Sequence, residues 1–291
     1  MVYPIASIET KDRLELHGLF LEPEKKTQRI FIFVHGTASN FYEEPFMEKL
    51  SRMLLKKGIS MLSINTRGTG VYDAYQKSGA ATEIFEDCIL DLDAWVKFVI
   101  DKNYSEVILA GHSLGTEKAV YYMNYGKYKN SVESLILLAP ANSYGCRIYS
   151  DNYRFSPEDE RKTKELIERA ENLIKNGRND AFLDRYSYAG IMPKSAESLV
   201  NFLAPEKKIN RVLPFYTGKL EIYQKIKVPI LAVIGDKKEY TGIPIKDALK
   251  LMERENKNTE THQITNCNHD FDYKEEKLVE IISKFLDKIH V

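Results

Sequence analysis

Apolar positions along the chain follow two alternating rhythms. Arg29-Ile-Phe-Ile-Phe-Val34 is a continuous apolar run that ends at His35-Gly36, the pattern of a strand buried on both faces. Before it, residues 3 to 9 and 14 to 22 read as extended segments joined by the polar turn Lys11-Asp12-Arg13. After it, residues 44 to 57 carry Phe46, Leu50, Met53 and Leu54 at helical spacing and stop at Gly58, and Ile59 to Ile64 is another apolar strand. The rhythm then repeats with a helix over about 83 to 101, the strand Glu106 to Ala110, a helix over 114 to about 126 and the strand Leu135 to Ala139. Buried strands alternating with helices longer than about ten residues predict a parallel sheet with right-handed crossovers. This half of the chain is expected to form a doubly wound α/β core.

From residue 141 to 226 the alternation stops, and the sequence becomes more charged and more helical. Ser156-Pro157-Glu158-Asp159 offers an N-cap serine, a proline at the first helical position and an acid three residues after the cap, opening a helix that should run to Asn176-Gly177. Between Pro193 and Pro214 the expectation is irregular structure with a short helix around 195 to 203. Alternation resumes with Pro229-Ile-Leu-Ala-Val-Ile234, a helix from about 244 to 255, a strand from 261 to 265 and an amphipathic helix from about 274 to 289. The expected organisation is a core made of residues 1–140 and 227–291, carrying a cap or lid insertion at 141–226. No internal repeat or low-complexity segment interrupts it.

Composition narrows the function. The 291 residues carry 42 Lys and Arg against 42 Asp and Glu, so no charge excess supplies a footprint for nucleic acid or an anionic membrane surface. The chain opens on Met1-Val2-Tyr3-Pro4, without a basic segment followed by an apolar run, and has no stretch of about 18 apolar residues. A cytoplasmic protein with neither a nucleic-acid nor a membrane partner is expected. Cys88, Cys146 and Cys267 are odd in number and lack metal-ligand spacing, which argues against a disulfide framework and a structural zinc site. Cys146 is read as an inert thiol.

The chemistry lies in Gly111-His112-Ser113-Leu114-Gly115, a G-x-S-x-G string between a strand and a helix. A serine on so sharp a turn adopts a strained backbone, so the positions two before and two after must be small. The following helix N-terminus points free N–H groups and its positive dipole end at the same place. His35-Gly36-Thr37-Ala38 ends the third strand, and the Thr37 N–H is expected to join that of Leu114 as an oxyanion-hole pair. His35 and His112 are read as packing residues. Asn65-Thr66-Arg67-Gly68-Thr69-Gly70 is read as a structural turn, since it lacks the spacing and the Lys-Ser/Thr of a phosphate-binding loop. A serine hydroxyl needs a base. His269, in Asn266-Cys267-Asn268-His269-Asp270-Phe271, follows the last strand and can return to the same sheet edge, unlike His17, His262 and His290.

In this order, the HG strand end, the GHSLG elbow and the N-C-N-H-D loop resemble the α/β-hydrolase superfamily over nearly the whole chain. A narrower likeness, carried by Ala170 to Gly177, Ser195-Ala196 and Glu239-Tyr240, is to hydrolases that include fungal siderophore esterases. The resemblance implies an α/β-hydrolase fold with a helical cap, no cofactor or metal, and a small-molecule ester as substrate. It also exposes a departure. The acid is commonly an aspartate three residues after the glycine that ends the penultimate strand, whereas Gly235-Asp236-Lys237-Lys238-Glu239 puts a lysine there. Glu239 is favoured to orient His269, with Asp236 as the other choice. The implied reaction is ester hydrolysis through an acyl-enzyme on Ser113; thioesterase, acyltransferase and peptidase activity share these parts, and an inactive ligand-binding protein is the rival. The 141–226 segment holds Tyr144, Tyr149, Tyr153, Phe155, Phe182, Tyr186, Tyr188, Phe202, Phe215 and Tyr216. They suit a hydrophobic or aromatic acyl group, or simply pack the cap.

Overall fold

The continuous apolar run at Arg29–Val34 becomes strand β3, with Ile30, Ile32 and Val34 in one buried cluster and Phe31 and Phe33 in the other. Both faces are covered, so period-2 polarity is absent from this strand. The same division of alternate residues recurs in β5 (Glu106–His112), β6 (Val132–Leu138) and β7 (Ile230–Ile234). The computed structural model describes residues 4–25, 27–144, 157–184, 192–237 and 239–289, with only the backbone of 157–160. Strands β1 (Ile5–Glu9), β2 (Glu15–Leu21), β4 (Ser60–Ile64) and β8 (Thr259–Gln263) complete an eight-stranded sheet of order β1-β2-β4-β3-β5-β6-β7-β8. The β1–β2 and β2–β4 pairs are antiparallel and all others parallel.

Helices lie on both faces. On the side of Phe31 and Phe33 pack α1 (Met47–Lys56) and the last helix, α7 (Glu275–Ile289). The opposite face holds α2 (Cys88–Asp101), α3 (Leu114–Tyr125) and α6 (Ile245–Glu255). From residues 141–226, α4 (Pro157–Lys175) and α5 (Ala196–Leu203) add Ala170, Leu199 and Phe202 to that second cluster. Phe85 N–H donates to Asn201 Oδ1 at 2.8 Å and Ser198 Oγ to the Glu83 carbonyl at 2.6 Å, fastening α5 to the approach to α2. No helix among the described residues is long and apolar enough to cross a membrane.

Several element bounds move. The helix expected from 83 begins as a tight 3-10 turn at Phe85–Asp87 before α2, the helix expected from 44 begins at Met47, and β6 starts at Val132 instead of 135. The strand expected over 261 to 265 pairs over Thr259–Gln263 instead. This edge strand is Thr-Glu-Thr-His-Gln, half-buried throughout, and has no apolar residue to mark its ends. The Ser156 cap lies outside the described residues, as do Cys146, Tyr149, Tyr153, Phe155, Tyr186, Tyr188 and His290.

Two glycines set how closely the strand-to-helix junction packs. A Cβ on Gly111 would overlap the Gly115 backbone, and one on Gly115 would overlap the carbonyl oxygens of Val34 and His35. No side-chain rotation relieves a backbone clash. Gly115→Ala is therefore expected to destabilise the fold by at least ~1–3 kcal/mol, the usual cost of overpacking, read as a lower urea midpoint at unchanged slope. A wild-type midpoint would refute this packing.

Candidate active site

Ser113 sits between β5 and α3 with φ 53° and ψ −122°, a region that L-residues enter only under constraint. Its N–H donates to the Leu138 carbonyl at 3.0 Å, and its own carbonyl accepts from the Thr116 N–H at 2.9 Å and Thr116 Oγ1 at 2.6 Å. These bonds hold the strained residue at the sheet's edge, where α3 begins. A Cβ on Gly36 would lie 3.1 Å from Ser113 Cβ, so the HG loop passes directly over the serine. The backbone N–H groups of Thr37 and Leu114 have no acceptor among the described residues.

The loop after β8 brings the second group. His269 Nδ1 lies 2.7 Å from Glu239 Oε2, and the other carboxylate oxygen of Glu239 accepts the Gly235 N–H at 3.1 Å. An ionised carboxylate only accepts, so Nδ1 carries a proton, and in the neutral imidazole Nε2 then presents a lone pair. That Nε2 is buried and has no hydrogen-bond partner among the described residues. Glu239 itself is 1% exposed at its side chain. His112 Nε2–H donates to the His269 carbonyl at 2.9 Å, tying this loop to the residue before Ser113, and the Tyr240 ring meets the His269 ring edge-to-face at 4.7 Å.

Asp236 is used elsewhere. Its carboxylate accepts the N–H groups of Asn266, at 2.9 Å, and Cys267, at 3.0 Å, and these bonds hold its pKa below the usual carboxylate value. It pins the turn that leads to His269, where Asn266 takes φ +52°, and it is Glu239 that meets the imidazole. Lys238 lies outside the described residues.

The remaining expected groups are structural. His35 is fully buried, with Nδ1 2.7 Å from the Gly36 carbonyl and Nε2 accepting the Thr66 N–H at 3.2 Å; burial, with the Lys118 ammonium second, pushes its pKa down to about 4. In the Asn65–Gly70 turn, Arg67 bonds Asp91 at 2.9 Å and Asp12 at 3.1 Å, so its guanidinium closes the turn. Phe202 and Phe215 are core residues, whereas Phe182 is exposed and stacks edge-on against Tyr72.

Sequence reasoning missed the buried charges. Glu44 lies 3.2 Å from His112 Nδ1, Lys118 lies 2.6 Å from Glu83, and Glu117 accepts the Ser143 N–H and hydroxyl. A signal existed for two of them: Glu117-Lys118 follows the elbow in a helix whose residues 114 to 122 are all buried, so both charges had to find partners. Glu44, His112 and the exposed Asp270 offer ligand atoms within 4.8 Å of one another, but both His112 ring nitrogens are already engaged, by Glu44 and by the His269 carbonyl.

Residues 25–182, more than half of the chain, match the hydrolase family described as serine aminopeptidase S33, and the chain belongs to that family. A Mycoplasma genitalium protein named "Putative esterase/lipase 2" is 26% identical over 171 residues, covering 55% of this chain and 60% of that protein. The α/β-hydrolase fold is shared with a highly thermostable carboxyl esterase from Bacillus coagulans, solved with glycerol, at TM-score 0.71 and 14% identity over 100% of both chains. Est1E from Butyrivibrio proteoclasticus, also solved with ferulic acid, superposes at TM-score 0.67 with 16% identity over 98% of each chain. None of these three relatives is described as a siderophore esterase.

The Glu44–His112 pair generates a pH signature. Burial alone would lower the His112 pKa, but the Glu44 charge and the bonds to Glu44 and the His269 carbonyl raise it above 6.5 on balance. Burial likewise opposes ionisation of Glu44, yet the His112 charge and its hydrogen bond bring the carboxyl below 4.5. A raised histidine stabilises fully below its unfolded pKa, and a depressed carboxylate above its own. The pair's contribution is thus complete between about pH 4.5 and 6.5, is lost on acidification through the lowered Glu44 value and is lost on alkalisation through the raised His112 value. The stability difference between wild type and His112→Asn, from urea unfolding, should peak in that window. A difference flat from about pH 4 to 9 would refute the ion pair.

Proposed function

We propose that the protein is a carboxylic ester hydrolase acting through Ser113, His269 and Glu239. The observation that carries this reading is the 2.7 Å bond from His269 to Glu239, which leaves a bare, buried Nε2 in the loop that His112 ties to Ser113. In this reaction Nε2 takes the Ser113 proton as Oγ attacks the ester carbonyl, and the Thr37 and Leu114 N–H groups receive the oxyanion. The imidazolium, stabilised by Glu239, protonates the leaving alcohol; water then attacks the acyl-enzyme by the reverse proton route. No step in this scheme calls on a cofactor or metal.

Residues 141–226 are taken as the cap over this site. In support, the Asn142 N–H donates to the Tyr240 carbonyl at 2.8 Å, joining the segment's start to the loop that holds Glu239, and Tyr144 and Tyr216 pair at 5.9 Å. A small to medium ester with a hydrophobic or aromatic acyl group suits these aromatics, and the ferulic acid bound by Est1E is an aromatic carboxylic acid, the free-acid counterpart of such an acyl group. Amide cleavage is the second reading, favoured by the family's description as serine aminopeptidases.

The test is turnover of p-nitrophenyl esters from acetate upward and of aminoacyl p-nitroanilides, with mass spectrometry after a fluorophosphonate probe. Ester turnover and a Ser113 adduct, both abolished by Ser113→Ala, are expected; faster anilide cleavage would favour the peptidase, and neither signal would leave a binding protein. Glu239→Gln should lower kcat on the order of a thousand- to ten-thousand-fold, as loss of the orienting acid does in serine proteases, while Asp236→Asn should act on stability more than on kcat. Equal, mild effects on kcat would sink the assignment of the acid.

A further inference from the structure

A line of buried polar groups runs beneath the site and takes no part in the chemistry proposed above. Glu83 Oε1 lies 2.6 Å from Lys118 Nζ; Lys118 Nζ donates to Thr66 Oγ1 at 3.0 Å; Thr66 Oγ1 lies 3.1 Å from His35 Nε2; and His35 Nδ1 lies 2.7 Å from the Gly36 carbonyl. All four side chains are essentially shut off from solvent. Gly68 makes room at the far end, since a Cβ there would overlap the Glu83 carboxyl group. A lysine buried on the helix that follows the nucleophile is costly unless it is paired and bonded in full, and this one is bonded toward the oxyanion loop.

The direction of every bond can be assigned. The Thr66 backbone N–H, 3.2 Å from His35 Nε2, can only donate, so Nε2 holds the lone pair and Nδ1 carries the proton given to the Gly36 carbonyl. An ammonium has only protons to offer, so Thr66 Oγ1 accepts from Lys118 and has its own hydrogen free for His35 Nε2, a lone pair that the Thr69 hydroxyl, 2.9 Å away, shares. The chain is polarised one way, from the Glu83–Lys118 pair to the Gly36 oxygen, and bonds so aligned strengthen one another. In a trans peptide the C=O and the following N–H point in opposite directions. Fixing the Gly36 carbonyl toward His35 therefore fixes the Thr37 N–H away from it, on a loop that lies against Ser113.

We propose that Lys118 and Glu83, acting through Thr66 and His35, are positioning residues that aim the Thr37 N–H at the oxyanion. The proposal rests on the reading of Thr37 as an oxyanion donor. None of the four side chains touches substrate. Their effect is to stop the Gly36–Thr37 peptide from rotating, since a donor that drifts off its target loses transition-state stabilisation while leaving substrate binding in the ground state unchanged.

Thr66→Val removes the hydroxyl at constant shape, Thr66→Ser returns it, and Lys118→Met with Glu83→Gln removes both charges together. On a p-nitrophenyl ester, Thr66→Val and the double variant should lose kcat by roughly 10- to 100-fold at nearly unchanged KM, somewhat less than outright removal of an oxyanion donor. A trifluoromethyl ketone, whose adduct carries the oxyanion, should bind more weakly by a similar factor, and Thr66→Ser should recover most of both. Rates are taken per active site, titrated with the fluorophosphonate, so partial unfolding cannot imitate the result. Folded variants with wild-type kcat and ketone affinity would overturn the relay. Should neither variant fold, nitrogen-15 NMR of wild type decides: His35 should show the Nδ1–H tautomer, and an Nε2–H tautomer would overturn the assignment. Wild type without turnover or adduct would remove the functional reading and the relay together, whereas an active wild type with unaffected variants would remove the relay alone.

Discussion

The left-handed backbone of Ser113 is the constraint around which the rest of the molecule is arranged. A residue at φ 53° and ψ −122° persists only where its surroundings over-determine it. Here they do so from three sides: β6 accepts its N–H, Thr116 holds its carbonyl, and Gly36 lies over its Cβ. Each of these needs a parallel sheet with a helix directly behind it. Gly111 and Gly115 permit the close approach, and the apolar runs of β3, β5 and β6 supply the buried sheet that bears the strain.

Around that point the protein places charge where hydrophobic packing would be the cheaper choice. The helix α3 is buried over residues 114 to 122 and still carries Glu117 and Lys118, while His112 and Glu44 lie buried on the other side of the elbow. Such groups gain little stability over an apolar core, but removing one partner leaves a charge stranded at a cost of roughly 3–5 kcal/mol. What they supply is direction. Hydrogen bonds between His112 and the His269 loop, from Thr66 to His35 and from Ala141 to Thr116 fix distant parts of the chain relative to one another, which van der Waals contact alone does less sharply.

The sequence carried the architecture because buried parallel strands leave an unmistakable apolar run and the elbow leaves a glycine-flanked serine. His269 was legible from its order in the chain. The two carboxylates after Gly235 were harder to separate, since the difference lies in which one the Asn266 and Cys267 N–H groups consume, a matter of how the loop after β8 folds back. The edge strand β8 lies two residues before the 261–265 expected for it, because nothing apolar marks its ends. Glu83, Thr66 and Lys118 come from three separate segments and meet only in space. No periodicity in any one segment records that meeting.

The polar make-up of β8 has a consequence beyond its own boundaries. An outer strand exposes a ladder of unpaired amides that another chain can adopt as a template. Here that rim carries Glu260, bonded to His262 at 2.8 Å and to Lys288 at 2.9 Å. A second strand laid along it would have to displace those bonds and would find no greasy surface in return. The sheet thus ends in a border that discourages growth into fibrils, at the very margin from which the His269 loop departs.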